Sequence, residues 1–325
     1  MTCKMNKTKI FITSTISLLF LSSCASAPNT TSEEKHLAHD KSAHTEVETI
    51  IETPEEIFLK SIAGFSVKKV SSPKEITKGR SFSEPFVFSV TKEDGTPVEG
   101  LTLTLLYPES KTDGIVTTGN TELTTDADGK ISFTAPKPDF AVNTKVIVYP
   151  KPVSDDSALT EELTNNYSAT ADWKVKSDIA SKGAVLFVWD FNEKDRPVNN
   201  SYNIQAEFRG RGITMVGNGP VNETSYIGKP KALYKDTYDI IGGTQYGYLI
   251  YGTIKFEQPV TALEDGTGYY CILKAEIEAV SMKNGNKIYS SVISYKEIGK
   301  NWNECVSKGK DKLSEFVVTD IIYGL

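Results

Sequence analysis

The chain is poor in histidine and cysteine. Its 325 residues include three histidines, His36, His39 and His44, and four cysteines. No histidine follows residue 44, which excludes a Ser-His-Asp triad, a Cys-His pair and a histidine-based zinc hydrolase site from the rest of the chain. The three histidines lie among acidic residues, and imidazole with carboxylate suits zinc. Because no fold is predicted there to fix their geometry, we predict a solvated linker and no metal site.

Long apolar runs are also missing. The longest covers twelve residues, Ile10 to Leu21, whereas a helix needs about 20 to span a bilayer. Lys4, Lys7 and Lys9 precede this run, and Leu21-Ser22-Ser23-Cys24 ends it. A basic region, a short apolar core and small residues before a cysteine indicate a secretory signal that ends at a lipidation site. A plain secretory signal cleaved elsewhere is the alternative.

The segment Leu21–Cys24 resembles the lipobox of bacterial lipoproteins. This resemblance implies that the Cys24 thiol is diacylglycerylated, that the chain is cut between Ser23 and Cys24, and that the new amino terminus is acylated. Several acyl chains anchor a protein stably, so the expected partner is a lipid bilayer. Ala25 resembles the outer-membrane sorting pattern of enteric lipoproteins, which favours the outer over the inner membrane.

The remaining charge balance is acidic. Removal of residues 1–23 takes away three lysines and no acidic residue, which changes the net charge from −6 to −9 over 302 residues. A protein that binds a nucleic-acid backbone needs a basic surface, so we predict no nucleic-acid partner. The motif Gly-x-x-x-x-Gly-Lys-Ser/Thr is absent, and we expect no small-molecule cofactor.

Two cysteines remain for the folded protein, Cys271 and Cys305, once Cys3 is removed with the signal and Cys24 is lipidated. An exported, oxidising setting favours a disulfide between them. Two buried free thiols that behave as small apolar side chains are the alternative, and the sequence leaves both readings open.

Residues 24–55 are polar and read as a disordered tether, and residues 56–176 read as a β-sandwich. Residues 56–62 suggest one helical turn and 153–166 a loop, while the strand patterns are 65–70, 86–90, 101–105, 131–133, 146–149 and 167–176. Asp94-Gly95, Asp113-Gly114 and Asp128-Gly129 supply turns between them. Short strands with turns at this spacing are typical of an antiparallel sandwich.

The segments 93–100 (EDGTPVEG) and 125–136 (TDADGKISFTAP) carry a resemblance to the invasin/intimin-type bacterial Ig-like domain over residues 64–176. The resemblance implies a spacer or adhesive module and brings no catalytic residues with it.

After a predicted linker at 177–183, the pattern of apolar residues changes in 184–325. The apolar run Ala184–Trp189 is typical of a strand buried on both faces. The pattern then predicts helices at 200–208, 230–241 and 301–322, strands at 212–216 and 248–256, and a hairpin of strands 269–282 and 287–297. The order is β-α-β-α-β-β-β-α, so the fold class is multidomain, an Ig-like sandwich followed by an α/β (α+β) domain.

This second part resembles the α/β domain shared by the amino-terminal part of TolB and the curli-secretion lipoprotein CsgG. The resemblance lies in Val185–Phe191, Tyr248–Ile254, Gly285–Tyr289 and Gly299–Cys305. It implies an envelope domain that acts in assembly or protein contacts.

Catalytic candidates are weak. The pairs Glu276/Glu278 and Asp190/Glu193 are the kind of carboxylates that glycosidases use, but such pairs are expected by chance among 42 acidic residues. We therefore predict a non-enzymatic envelope lipoprotein with an envelope protein partner. The alternative is a surface-exposed adhesin that binds a host protein or glycan through the Ig-like domain.

Overall fold

The computed structural model of the protein describes residues 52–242 and 245–325, and three β-sheets form its framework. The strands are β1 (Ser66–Ser71), β2 (Ile76–Thr77), β3 (Phe86–Thr91), β4 (Thr102–Thr112), β5 (Ile115–Thr124), β6 (Lys130–Phe133), β7 (Val142–Pro150), β8 (Ala169–Lys176), β9 (Ala184–Phe191), β10 (Pro197–Asn200), β11 (Val216–Asn218), β12 (Tyr248–Ala262), β13 (Tyr269–Ser281) and β14 (Lys287–Gly299). The α-helices are α1 (Pro54–Ile62), α2 (Ser157–Asn166), α3 (Ile179–Lys182), α4 (Tyr202–Gly210), α5 (Pro230–Ile241) and α6 (Trp302–Gly324). The prediction of a β-rich chain with several sheets and accompanying helices is confirmed.

The first half of the described chain, residues 56–176, builds two sheets around one apolar core. One sheet has the order β1-β3-β6 and the other β2-β8-β7-β4-β5. Along β3, Phe86, Phe88 and Val90 are buried and the residues between them are half-buried, because successive side chains of a strand point to opposite faces. Trp173 of β8 is fully buried, and its ring stacks on Phe86 with 5.5 Å between the centroids. The two sheets therefore share the same core.

Asp-Gly pairs form turns at the three predicted positions. Gly95, Gly114 and Gly129 have φ angles of 83°, 83° and 70°, which glycine adopts without steric cost. A Cβ on Gly129 would lie 2.5 Å from the carbonyl oxygen of Val90. This position thus needs glycine for space as well as for its backbone conformation.

The segment 153–166, predicted as a loop, contains α2, so that prediction is wrong. Asp156 caps the helix, because its Oδ1 accepts a hydrogen bond from the Ala158 N–H at 2.9 Å. Leu159 and Leu163 lie four residues apart on one helix face and pack with Ile62 of α1. Only these two leucines are buried, and so short an apolar pattern did not indicate a helix.

The second half, residues 184–325, is built on a sheet with the order β10-β9-β12-β13-β14, with β11 paired to β9 beside this path. β9 runs parallel to β11 and β12 and is buried along its whole length, as predicted. α6 and α4 contribute to the core on one face, and α5 covers part of the other.

The predicted order omits β10 and α3 and shifts one strand. β10 is four residues long and begins with proline, so neither its length nor its composition indicated a strand. The strand predicted at 212–216 forms instead at Val216–Asn218, where it pairs in parallel with β9.

The segment 177–183, predicted as a linker, contains α3 and contacts α6. The Ser177 N–H donates to the Ile322 carbonyl at 2.7 Å, and the Ile179 side chain is buried. Residues Glu52–Leu325 accordingly form one compact unit, and the surfaces where its two halves meet are part of the folded structure.

Candidate functional site

A groove of about 1110 Å³ lies where the first and second halves meet, and we refer to it as the junction groove. One wall is formed by 113–116, at the turn between β4 and β5, and by 139–143, before and at the start of β7. The other wall is formed by 287–293 of β14 and by the carboxy-terminal turns of α6. Since a strand rises about 3.3 Å per residue, the β14 part of this wall is about 20 Å long. The groove lies at the upper end of the roughly 300–1,000 Å³ of small-molecule sites, and its length suits a polypeptide segment.

Lys111, near the end of β4, joins the two walls. Its Nζ donates to the Ala141 carbonyl at 3.1 Å and to the Gly324 carbonyl at 2.6 Å. Burial lowers the pKa of the Lys111 ammonium, and the Asp320 carboxylate opposes this shift. The side chain thus reaches from the first half to the last turn of α6, 213 residues away in the sequence.

Lys78 makes a second connection between the halves. Its Nζ lies 3.4 Å from Asp178 Oδ1 and donates to the Leu325 carbonyl at 3.2 Å and to the Tyr248 hydroxyl at 3.3 Å. Burial of the Asp178 carboxyl favours its neutral form, but hydrogen bonds from Lys182 and Tyr248 outweigh this effect and lower the pKa of Asp178. Asp178 is therefore a carboxylate in the folded protein at neutral pH.

Two tyrosines hold the α6 side of the groove. The Tyr289 hydroxyl of β14 donates to Asp320, and the Tyr323 hydroxyl donates to Glu75 of the first half. Burial raises the pKa of Tyr289, and the Asp320 charge adds to the shift. Burial and the hydrogen bond to Glu75 likewise raise the pKa of Tyr323. Both hydroxyls stay protonated, so they serve as fixed donors and do not act as nucleophiles.

A smaller pocket of about 280 Å³ lies on the opposite face of the second-half sheet, between α5 and strands β12 to β14. Within it the Tyr251 hydroxyl donates to Glu278 Oε2 at 2.5 Å, and Lys287 Nζ lies 3.2 Å from Glu278 Oε1. The hydrogen bond from Tyr251 lowers the pKa of Glu278. Both carboxylate oxygens have partners, which makes Glu278 a poor general acid or base.

The other carboxylates considered from the sequence are engaged in similar ways. Glu276 pairs with Lys274 at 2.6 Å. Asp190 is buried, and its Oδ2 accepts from Lys310 Nζ at 3.3 Å. Glu193 accepts from the Val260 N–H and from the Trp302 indole. In each proposed catalytic pair, the two carboxylates are therefore held by different hydrogen-bond or ion-pair partners.

The predicted lipidation site, Cys24, lies outside the described residues, as do the signal segment, most of the tether and the three histidines. No helix within residues 52–242 or 245–325 is long and apolar enough to cross a bilayer. In the same residues, no group of three or more His, Cys, Asp or Glu side chains is arranged to hold a metal ion.

Cys271 and Cys305 are brought together where α6 packs on β13, and both are buried free thiols. The Cys271 Sγ lies 3.5 Å from the Cys305 carbonyl oxygen, and the Cys305 Sγ lies 3.5 Å from the carbonyl oxygen of Glu297. Burial, together with the neighbouring Cys305, raises the pKa of Cys271. The two thiols are thus close to the same part of the α6–β13 contact, and no bond joins them.

Sequence reasoning missed the residues that form the junction groove. Lys78 and Lys111 look like ordinary surface lysines in polar β-segments, and their partners are main-chain carbonyls or side chains 100 or more residues away. Every residue has a main-chain carbonyl, so the sequence does not indicate which carbonyl accepts a hydrogen bond from a distant lysine. The one local signal was the alternation of β14, which indicated a strand but not its position at the sheet edge.

Residues 183–322 match the family model described as "TP0693-like lipoprotein, C-terminal domain". This match supports the prediction that the chain is a bacterial lipoprotein, and hence a membrane-anchored protein of the envelope. It does not test the Ig-like or the TolB/CsgG-like resemblance. None of the curated proteins compared with the chain matches it.

Two solved structures show weak similarity. The hypothetical protein CT253 from Chlamydia trachomatis has a TM-score of 0.29 at 10% identity and covers 42% of this chain and 93% of its own. Lipoprotein GNA1162 from Neisseria meningitidis has a TM-score of 0.23 at 17% identity and covers 42% of this chain and 96% of its own. Scores at this level do not establish a shared fold or role.

Proposed function

We propose that the protein is anchored in the outer membrane through acylated Cys24 and acts without catalysis, by binding an envelope protein in the junction groove. The observation that carries this proposal is the groove itself. Lys78 and Lys111 hold its two walls together through main-chain carbonyls and an ion pair. A site whose walls are held before binding loses less conformational entropy when a partner enters.

The chemistry of the described residues supports a binding role. The groove contains apolar surface, including Phe140, Ile288 and Phe316, and its lysine and tyrosine side chains are held in place by hydrogen bonds within the protein. The tyrosine hydroxyls beside it are protonated, and the carboxylates proposed from the sequence are held in ion pairs or hydrogen bonds. These features suit recognition of a polypeptide better than proton transfer.

The proposal also assigns a domain type to each half of the folded chain. We assign residues 56–176 to an Ig-like spacer and residues 184–325 to a TolB/CsgG-like module, joined by 177–183. The two sheets around Trp173 and the mixed sheet packed on α6 support these assignments. The proposed tether, predicted as 24–55 but bounded by the start of α1 at Pro54, would separate this body from the membrane by a root-mean-square span of ~30 Å.

Photo-crosslinking in intact cells tests the proposal. A photoreactive residue is placed at Ile288, which is 43% exposed and lines the groove, and at Tyr202, which is 72% exposed at the start of α4 and does not line it. We expect a discrete protein adduct from position 288 and none from 202. The adduct should disappear in a Cys24→Ser variant, which should also leave the membrane fraction.

Equal adducts at both positions, or none at either, would contradict the proposal. Protease digestion of intact cells separates it from the adhesin alternative. We expect residues 52–325 to be protected inside the envelope, whereas complete digestion would favour a surface adhesin.

A further inference from the structure

β14 is the outermost strand of the second-half sheet and is unusually accessible for its length. It is thirteen residues long, pairs with β13 on one side, and has no strand partner on the other among the described residues. An edge strand presents a row of unpaired N–H and C=O groups that can pair with another chain.

The alternation of β14 identifies the main-chain groups that face outward. The Ile298 N–H is bonded to the carboxylate of the adjacent Glu297 at 3.0 Å, which places it on the outer side. Because the N–H and C=O of every second residue point the same way, Ser290, Val292, Ser294 and Lys296 also face outward. Among the described residues, no hydrogen bond to these outer groups is formed.

The outer edge is protected at its ends but not in its middle. The edge strands of sheets normally contain charged residues, proline or bulges, which hinder pairing with another chain. A register irregularity lies near Ile288, and Lys296 with Glu297 marks the other end. Between them the sequence Ser290–Tyr295 has no charge and no proline. Because Val292, Ile293 and Tyr295 favour strands and no charge opposes an approaching chain, this part of the edge is suited to pairing.

The two faces of the sheet beside the β14 edge differ in what their side chains contact. Residues with odd numbers, such as Ile293, point toward α6, where Phe316 is 38% exposed. Residues with even numbers point to the open face, where Val292 is 62% exposed. A strand added here would therefore find apolar contacts for its alternate side chains on both faces.

A second copy of the chain does not fit this edge. A copy that paired at 290–293 would bring its own β13 and β12 to this edge, whereas the segments 113–116 and 139–143 already line the same groove as 287–293. Pairing centred on Lys296 would set two lysines opposite each other, which is unfavourable. A single extended segment brings no further strands that must fit beside these segments.

We infer that the outer edge of β14 binds an extended segment of a partner protein, apolar at alternate positions, by β-strand addition at Ser290–Lys296. Main-chain hydrogen bonds would supply the affinity, and alternate side chains the specificity. This inference rests on the proposed function, because it names the form of the partner in the junction groove.

Random dodecapeptides displayed on phage, selected against the folded protein, provide the probe. We expect selected peptides to carry apolar residues at alternate positions. In the wild-type protein they should slow amide hydrogen exchange of Val292, Ser294 and Lys296 by roughly tenfold or more, equivalent to about 1.4 kcal/mol. The inward-facing amides of Ile293 and Tyr295, already bonded to β13, should change little.

Ser294→Pro and Ser294→Ala form a matched pair. Both remove the hydroxyl that bonds Glu257, but only proline removes the outward N–H and blocks an approaching strand. Because that N–H is not part of the β13 ladder, proline is tolerated at this position. We expect peptide affinity to fall at least tenfold in Ser294→Pro and to stay near wild type in Ser294→Ala.

Three outcomes would overturn the inference: no selected binder, equal binding to both variants, or a dimer that Ser294→Pro dissolves. The exchange measurement needs no variant and so remains decisive if Ser294→Pro unfolds. If the cellular adduct at position 288 persists in Ser294→Pro, strand addition fails while the proposed function stands. If no adduct forms in the wild type, the proposed function itself fails.

Discussion

Replacement of Lys111 by methionine should loosen the junction groove without unfolding either half. Methionine keeps most of the aliphatic stem and removes the ammonium. The Ala141 and Gly324 carbonyls then lose a donor at 3.1 and 2.6 Å. Because Gly324 belongs to the last turn of α6, that turn should detach from the first half more often.

The magnitude follows from two opposing effects. A hydrogen bond contributes about 1 kcal/mol net, and a buried acceptor left unpaired costs about 1–3 kcal/mol. The lowered pKa of Lys111 shows that its buried ammonium is itself unfavourable, and methionine relieves this cost. We therefore expect a loss of about 1–2 kcal/mol in the free energy of unfolding.

Urea unfolding measures the global effect, and amide hydrogen exchange measures the local one. The amides of Ile322–Leu325, together with Ser177, should exchange about tenfold faster for each 1.4 kcal/mol lost locally. Lys308→Met is the matched control, because Lys308 is exposed and pairs with Glu304 one helical turn away. Such a solvent-exposed pair contributes little to stability. If Lys111→Met changes stability and exchange no more than Lys308→Met does, Lys111 does not hold the groove.

Three further predictions concern α6 and the junction. Gly309→Val should destabilise the protein by about 1–3 kcal/mol in urea unfolding, since even a Cβ there lies 3.0 Å from the Cys271 Sγ. Ser307→Val, at an exposed site of the same helix, should cost only about a few tenths of a kcal/mol. Equal effects of the two substitutions would refute close packing at Gly309. Because the pKa of Asp178 is lowered on folding, its contribution is full above its unfolded pKa of about 3.9 and is lost as pH falls through the folded value. Wild-type stability should thus decline more steeply than that of Asp178→Asn below about pH 4, and parallel curves would contradict this. Cys271 and Cys305 should resist alkylation in the folded protein and both react after unfolding without reductant, as read by intact mass; no labelling after unfolding would instead show a disulfide.

Local patterns predicted much of the second half. The continuous apolar run at Ala184–Trp189 indicated a strand buried on both faces, observed as Ala184–Phe191, and the helix predicted at 230–241 has the observed bounds Pro230–Ile241. Both depend on neighbours in sequence, through apolar periodicity and a proline at the first helical position. α2 was missed because two buried leucines are too few for a periodic signal, and β10 because a four-residue strand gains its stability from β9.

The sequence by itself predicted a lipidation site at Cys24 and determined the acidic net charge and the β-rich pattern, because each depends on composition or on residues close together in the chain. Only the tertiary structure decided that Lys111 meets Gly324, that Cys271 adjoins Cys305, and that β14 rather than another strand stands at the edge beside a groove. These are contacts between segments far apart in sequence, several of them to main-chain carbonyls. No side-chain pattern records such partners, and they exist only once the halves have packed together.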